Sequence, residues 1–92
     1  LEEIKHRKNG GAFVYMANGL QLGEMVYTMA GDTKMIIEHT EVDESRRGRD
    51  IGKQLLERLI EFARERHIKV IPLCPFASAM FRRNKAWQDV LA

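Results

Sequence analysis

The chain has 92 residues, 45% of them apolar and 30% charged, with a formal net charge of +2. That suits one modest hydrophobic core and excludes two domains, and the small net charge gives no compositional pointer to nucleic acid. No apolar run is long enough to span a bilayer, and the lone cysteine, Cys74, excludes an internal disulfide and zinc-ligand spacing, so a reducing cytoplasmic setting is expected.

The first forty residues alternate as strands do. Ile4 to Lys8 is a short edge strand broken by Asn9-Gly10-Gly11. Phe13, Val14 and Tyr15 belong to a second run that ends at Asn18-Gly19, a two-residue hairpin signal. Leu20 to Met29 makes a third strand, with Gly23 a candidate bulge, and Gly31-Asp32 turns the chain into a fourth, Lys34 to Val42.

The period then changes. Ile51, Leu55, Leu56, Leu59, Ile60, Phe62 and Ala63 form a helical stripe, with Lys53, Glu57, Arg58, Glu61, Arg64 and Glu65 as the solvated face. This helix is expected to end near His67. Val70-Ile71-Pro72-Leu73 reads as a fifth strand, Lys69 to Cys74, laid parallel to the fourth by the helical crossover. Pro75 suits the first position of a second helix, reaching about Asn84, and Trp87 to Leu91 reads as a last short turn. The expected fold is α+β: one domain over residues 1–92, with a mixed, mostly antiparallel five-stranded sheet.

The most informative segment joins the fourth strand to the first helix: Val42-Asp43-Glu44-Ser45-Arg46-Arg47-Gly48-Arg49-Asp50-Ile51-Gly52-Lys53. A basic, glycine-containing loop that feeds a helix start is a candidate anion site. First-turn N–H groups lack helical partners, and the macrodipole places partial positive charge there.

Arg47-Gly48-Arg49-Asp50-Ile51-Gly52 resembles the Arg/Gln-x-x-Gly-x-Gly/Ala pyrophosphate loop of GNAT-fold N-acetyltransferases. Ile37-Glu38-His39-Thr40-Glu41-Val42, Gly52-Lys53-Gln54-Leu55-Leu56, Ile71-Pro72-Leu73-Cys74-Pro75-Phe76 and Trp87-Gln88-Asp89-Val90 resemble a small single-domain branch of that family. The resemblance runs from Ala12 onward. It departs at Asp50, where the motif has glycine, and in the short turn after the first strand, where larger members place two helices.

The resemblance implies an acetyl-CoA or coenzyme A site between splayed fourth and fifth strands. Pantetheine would pair with backbone around Thr40 and Val42. Arg46, Arg47, Gly48, Arg49, Ile51, Gly52 and Lys53 would hold the diphosphate. The activity implied is acyl transfer to an amine, and no metal is expected. Cys74, at a strand end and a helix start, is a candidate nucleophile or acid, because a helix N-terminus favours thiolate. The residues aligned with the family's usual Asn, Ala and Tyr are Cys74, Ala77 and Phe81, and Phe81 has no hydroxyl to give. His39, read as sharing a strand face with Met35 and Ile37, is a candidate base.

His6 and His67 read as surface residues, and Phe62, Phe76, Met80, Phe81 and Trp87 as core. The alternative to an enzyme is a non-catalytic coenzyme-A-binding or interaction module of the same fold. Neither a membrane nor a nucleic acid partner is expected.

Overall fold

A computed structural model describes residues 1–92. The strands are β1 (Glu2–Arg7), β2 (Ala12–Ala17), β3 (Leu20–Ala30), β4 (Lys34–Val42) and β5 (Lys69–Pro72), and the helices are α1 (Ile51–Arg66) and α2 (Pro75–Arg83). Their order in the sheet follows the chain, β1-β2-β3-β4-β5. The first three pairings are antiparallel and β4–β5 is parallel, across the α1 crossover. The expected architecture stands.

Asn18 and Gly19 both take positive φ, as a tight hairpin turn with the sheet's twist requires. The bulge expected at Gly23 falls one residue earlier: Tyr15 pairs with Gly23 but Met16 with Gln21, which leaves Leu22 over. A second bulge lies in β4, where Val26 pairs with His39 and Tyr27 with Ile37, so Glu38 is the extra residue. Side chains alternate along a strand, so one inserted residue reverses the faces beyond it.

One face of the sheet meets the helices. Phe13, Met25, Met35 and Ile37 pack there against Leu55, Leu59 and Ile60 of α1 and Phe81 of α2, and no polar or charged residue is fully buried. The expected last turn is a 3₁₀ turn over residues 85–90, starting two residues earlier than Trp87. The Arg64 guanidinium donates to both Asp89 oxygens at 2.9 Å and to the Ala86 carbonyl at 2.8 Å, which fastens this turn to α1. Leu91 then bridges Val70, extending the sheet beyond β5.

His6 is not a free surface residue. Its ring stacks on Phe13 at 4.2 Å, meets Phe62 edge-on at 4.5 Å, and shares a 2.5 Å hydrogen bond with the Tyr27 hydroxyl. Desolvation, and then Lys8, Arg58 and Arg66, push its pKa below the ordinary 6.5. The unfolded chain therefore takes the proton more readily. This contribution to stability is full above about pH 6.5 and is lost as pH falls toward the lower folded-state value. We expect the melting temperature to drop through that window, and to drop less in His6→Phe. Parallel pH profiles of the two proteins would rule out this role for His6.

Candidate functional site

The β4–β5 ladder stops at the Ile37–Pro72 pair. Both Leu73 and Cys74 donate their backbone N–H to the Ile37 carbonyl at 3.1 Å, so β5 is tied off there and the chain turns into α2. Residues 38–42 keep β3 on one side and have no strand on the other. A cleft of about 600 Å³ opens beside this free edge. Thr40 and Val42 line it from β4; Arg46, Arg47, Gly48, Asp50, Ile51, Gly52 and Lys53 line it from the loop and α1; Phe76, Met80, Arg83 and Asn84 line it from α2.

The bulge at Glu38 decides what β4 offers. Thr40 lies opposite the buried Met25, on the helix side with Ile37, whereas His39 and Glu41 lie opposite Val26 and Glu24 on the other face. His39 is half exposed there, with its Nε2 at 3.5 Å from Glu24 and 3.6 Å from Glu41. The expectation that His39 shares a face with Met35 and Ile37 is therefore corrected. Simple alternation placed it there, and the inserted residue turned it away from the cleft.

The loop is shaped by its own residues. Asp43 accepts from the Ser45 N–H at 3.0 Å and the Ser45 hydroxyl at 2.5 Å, starting a 3₁₀ turn over Glu44–Arg46; the Ser45 hydroxyl and then its N–H lower the Asp43 pKa. Gly48 has φ +82°, a value open to glycine without strain. Asp50 has φ +58° and precedes α1 without making a side-chain cap. It is not in the first helical turn but in the left-handed position that suits the family motif's glycine.

Gly52 lets α2 lie close instead: a Cβ there would stand 2.8 Å from the Phe76 ring, which would have to shift. Phe76 is therefore a cleft residue, 38% exposed, and not core, whereas Met80, Phe81 and Trp87 are buried and Phe62 packs at the core's edge. Of the loop cations, Arg49 alone does not line the cleft; its carbonyl accepts from the Gln54 side chain.

Two features point to an anion. The N-terminus of α1 has no side-chain cap, which leaves its first N–H groups facing the cleft side. Arg46 carries the one buried side-chain polar atom without a partner, its Nε. Buried donors are rarely left unpaired, so this nitrogen calls for an acceptor that the protein's own side chains and backbone do not supply. Arg46, Arg47, Lys53 and Arg83 face a single carboxylate, Asp50.

Cys74 stands at the N-cap position of α2 without a side-chain capping bond and is 3% exposed, with its Sγ 3.3 Å from the Thr40 hydroxyl. Thr40 thus stands between the thiol and the cleft. The α2 wall of the cleft went unseen in the sequence, where Phe76 and Met80 read as core. Phe76, Met80 and Arg83 follow helical spacing, a signal that could have marked them as one face.

A profile of the GCN5-related N-acetyl-transferase family matches residues 12–90. The chain belongs to this GNAT family. The GNAT fold is shared with a GCN5-like protein from Staphylococcus aureus, solved in solution, at 32% identity and a TM-score of 0.76, over 98% of this chain and 87% of that one. Protein NATD1 of Danio rerio is 28% identical over 82 residues, 88% of this chain and 74% of the zebrafish protein. Rv2747 from Mycobacterium tuberculosis, solved with coenzyme A, has the same fold at 21% identity and a TM-score of 0.66, over 79% of this chain and 46% of that one.

Proposed function

We propose that this GNAT chain binds acetyl-CoA in the β4–β5 cleft and transfers the acyl group to an amine. The unpartnered Arg46 Nε beside the uncapped α1 N-terminus is the observation that carries the reading. Coenzyme A bound to structural relatives of the same fold supports it. The diphosphate fits Arg46, Arg47, Gly48 and the N–H groups of Ile51, Gly52 and Lys53. Pantetheine fits the free edge at Thr40 to Val42.

Acetyl-CoA supplies an activated thioester. In the transfer the amine nitrogen bonds to the carbonyl carbon, the carbon–sulfur bond breaks, and one proton passes in net from nitrogen to the departing sulfur. An N–H of the β4 edge is the oxyanion donor. Thr40 donates its hydroxyl hydrogen bond toward the departing sulfur and accepts from the Cys74 thiol, so Cys74 is an acid acting through Thr40, and the proton that the amine loses restores its thiol. Its burial disfavours the other role, a covalent acyl-cysteine.

We expect acetyl-CoA turnover on an amine panel, lowered about 10- to 100-fold in Cys74→Ala and in Thr40→Val. Intact-mass measurement should show no acetyl adduct on Cys74. Unchanged transfer in Cys74→Ala would remove the thiol from the mechanism. A second reading, a coenzyme-A-binding module without turnover, is favoured by Asp50 being the one carboxylate of the cleft while His39 faces away. It would be upheld by tight coenzyme A binding with no transfer to any amine.

Asp50 also gives a test of the loop. The carboxylate works against a diphosphate, and a left-handed backbone costs a non-glycine residue strain. We expect Asp50→Gly to bind coenzyme A about three- to tenfold more tightly. The apo protein should hold its stability or gain up to about 1 kcal/mol. A helical position would instead have made glycine destabilising. Weaker binding in Asp50→Gly would mean that Asp50 helps to build the site.

A further inference from the structure

We infer that Arg83 of α2 reads the 3′-phosphate of coenzyme A, so that the site distinguishes it from 3′-dephospho-coenzyme A. The inference rests on the cleft holding coenzyme A, and it assigns a part of that ligand which the loop leaves over. The diphosphate is served by one wall, the loop and the start of α1. The facing wall is α2, which presents Phe76, Met80 and Arg83 at positions i, i+4 and i+7, all lining the cleft. This spacing sets them on one helix face, with Arg83 about 10 Å along the axis from Phe76.

The surfaces along that face suit the two branches that the ligand's ribose carries, the purine and the 3′-phosphate. The Phe76 ring lies against Gly52 in the first turn of α1, beside the diphosphate position. The exposed Phe76 ring, with the largely buried Met80 behind it at the cleft wall, offers a purine an apolar seat. Beyond it stands a guanidinium that makes no hydrogen bond or ion pair within the protein, whereas the neighbouring Arg82 is held by the Ser78 hydroxyl at 3.0 Å. A guanidinium takes phosphate oxygens two at a time, and the 3′-phosphate is the one anionic group outside the diphosphate. Lys53 is the competing cation, but it belongs to the diphosphate wall.

Calorimetric dissociation constants for coenzyme A and 3′-dephospho-coenzyme A, measured on the unmodified protein, Arg83→Gln and Lys53→Gln, test this. The unmodified protein should prefer coenzyme A by about five- to tenfold. Arg83→Gln should lose that preference while binding the dephospho form within about twofold of the unmodified protein. Lys53→Gln should weaken both ligands alike and keep the preference. Since Arg83 is exposed at a helix end, its replacement should leave the melting temperature unchanged.

A preference that survives in Arg83→Gln, equal weakening of both ligands there, or loss of preference in Lys53→Gln would overturn the assignment while leaving the cleft as a coenzyme A site. If the unmodified protein binds neither ligand, the cleft reading falls and the Arg83 assignment falls with it.

Discussion

Phe81→Ala should cost about 3–5 kcal/mol of stability, among the largest single-site losses expected in this chain. Phe81 is 1% exposed, and its ring meets Trp87 edge-on at 5.9 Å. It therefore pins α2 and the 3₁₀ turn of residues 85–90 to the same core. The carbonyl of Phe81 also accepts from the Gln88 side chain at 3.0 Å, so the turn folds back on the residue it packs against. A chain of this length has roughly 5–14 kcal/mol in hand, so the loss would remove a large share of it.

The cleft should suffer too, because Phe76, Met80 and Arg83 ride on the same nine-residue helix. Phe81→Tyr is the informative partner variant: it would place a hydroxyl at the position aligned with the family's tyrosine, but among buried apolar side chains. Urea unfolding reads the stability directly. A cost below about 1 kcal/mol for Phe81→Ala would mean that α2 is not held by this ring.

Arg46→Ala should weaken coenzyme A binding by about 10- to 150-fold, the effect of losing a charge-assisted contact worth about 1.5–3 kcal/mol. Apo stability should move the other way or stay level, because the variant removes a buried donor that the protein leaves unpaired. Few residues would separate binding from folding so cleanly. If the unpaired Nε served only the protein's own structure, the apo melting temperature would fall and the affinity would hold. Arg47→Ala, in an exposed position, should have the smaller effect of the two.

Much of this was legible in the residues. Asn18-Gly19 and Gly31-Asp32 mark the turns between strands, and the stripe from Ile51 to Ala63 gives α1 its buried face. Cys74-Pro75 marks the start of α2, since proline needs no N–H at the first helical position. The cleft loop was readable through its resemblance to the GNAT pyrophosphate loop, because glycine and arginine at a strand-to-helix junction fit a solvated helix start about equally well.

The misplaced residues share a cause. A β-bulge leaves no compositional mark, and Glu38 looks like any solvent-facing strand residue, so His39 was assigned to the wrong face. Phe76 fits an apolar helical stripe, yet it sits at the stripe's edge, where helix and cleft meet. His6 looked unpartnered because its partners, Phe13, Tyr27 and Phe62, come from three other elements. The left-handed backbone of Asp50, one residue before α1, leaves no mark in a residue pattern beyond the glycine that the family motif has there. Each depends on contacts or dihedrals set by distant parts of the chain.

The most direct test is a titration of the isotopically labelled protein with coenzyme A, followed by amide proton and nitrogen shifts. Shifts should concentrate at Gly48 to Lys53, where the diphosphate meets the α1 N-terminus, and at Thr40 to Val42 along the free β4 edge. Unchanged spectra at millimolar coenzyme A, or shifts confined to the opposite face around Glu24 and His39, would contradict a coenzyme A site between β4 and β5.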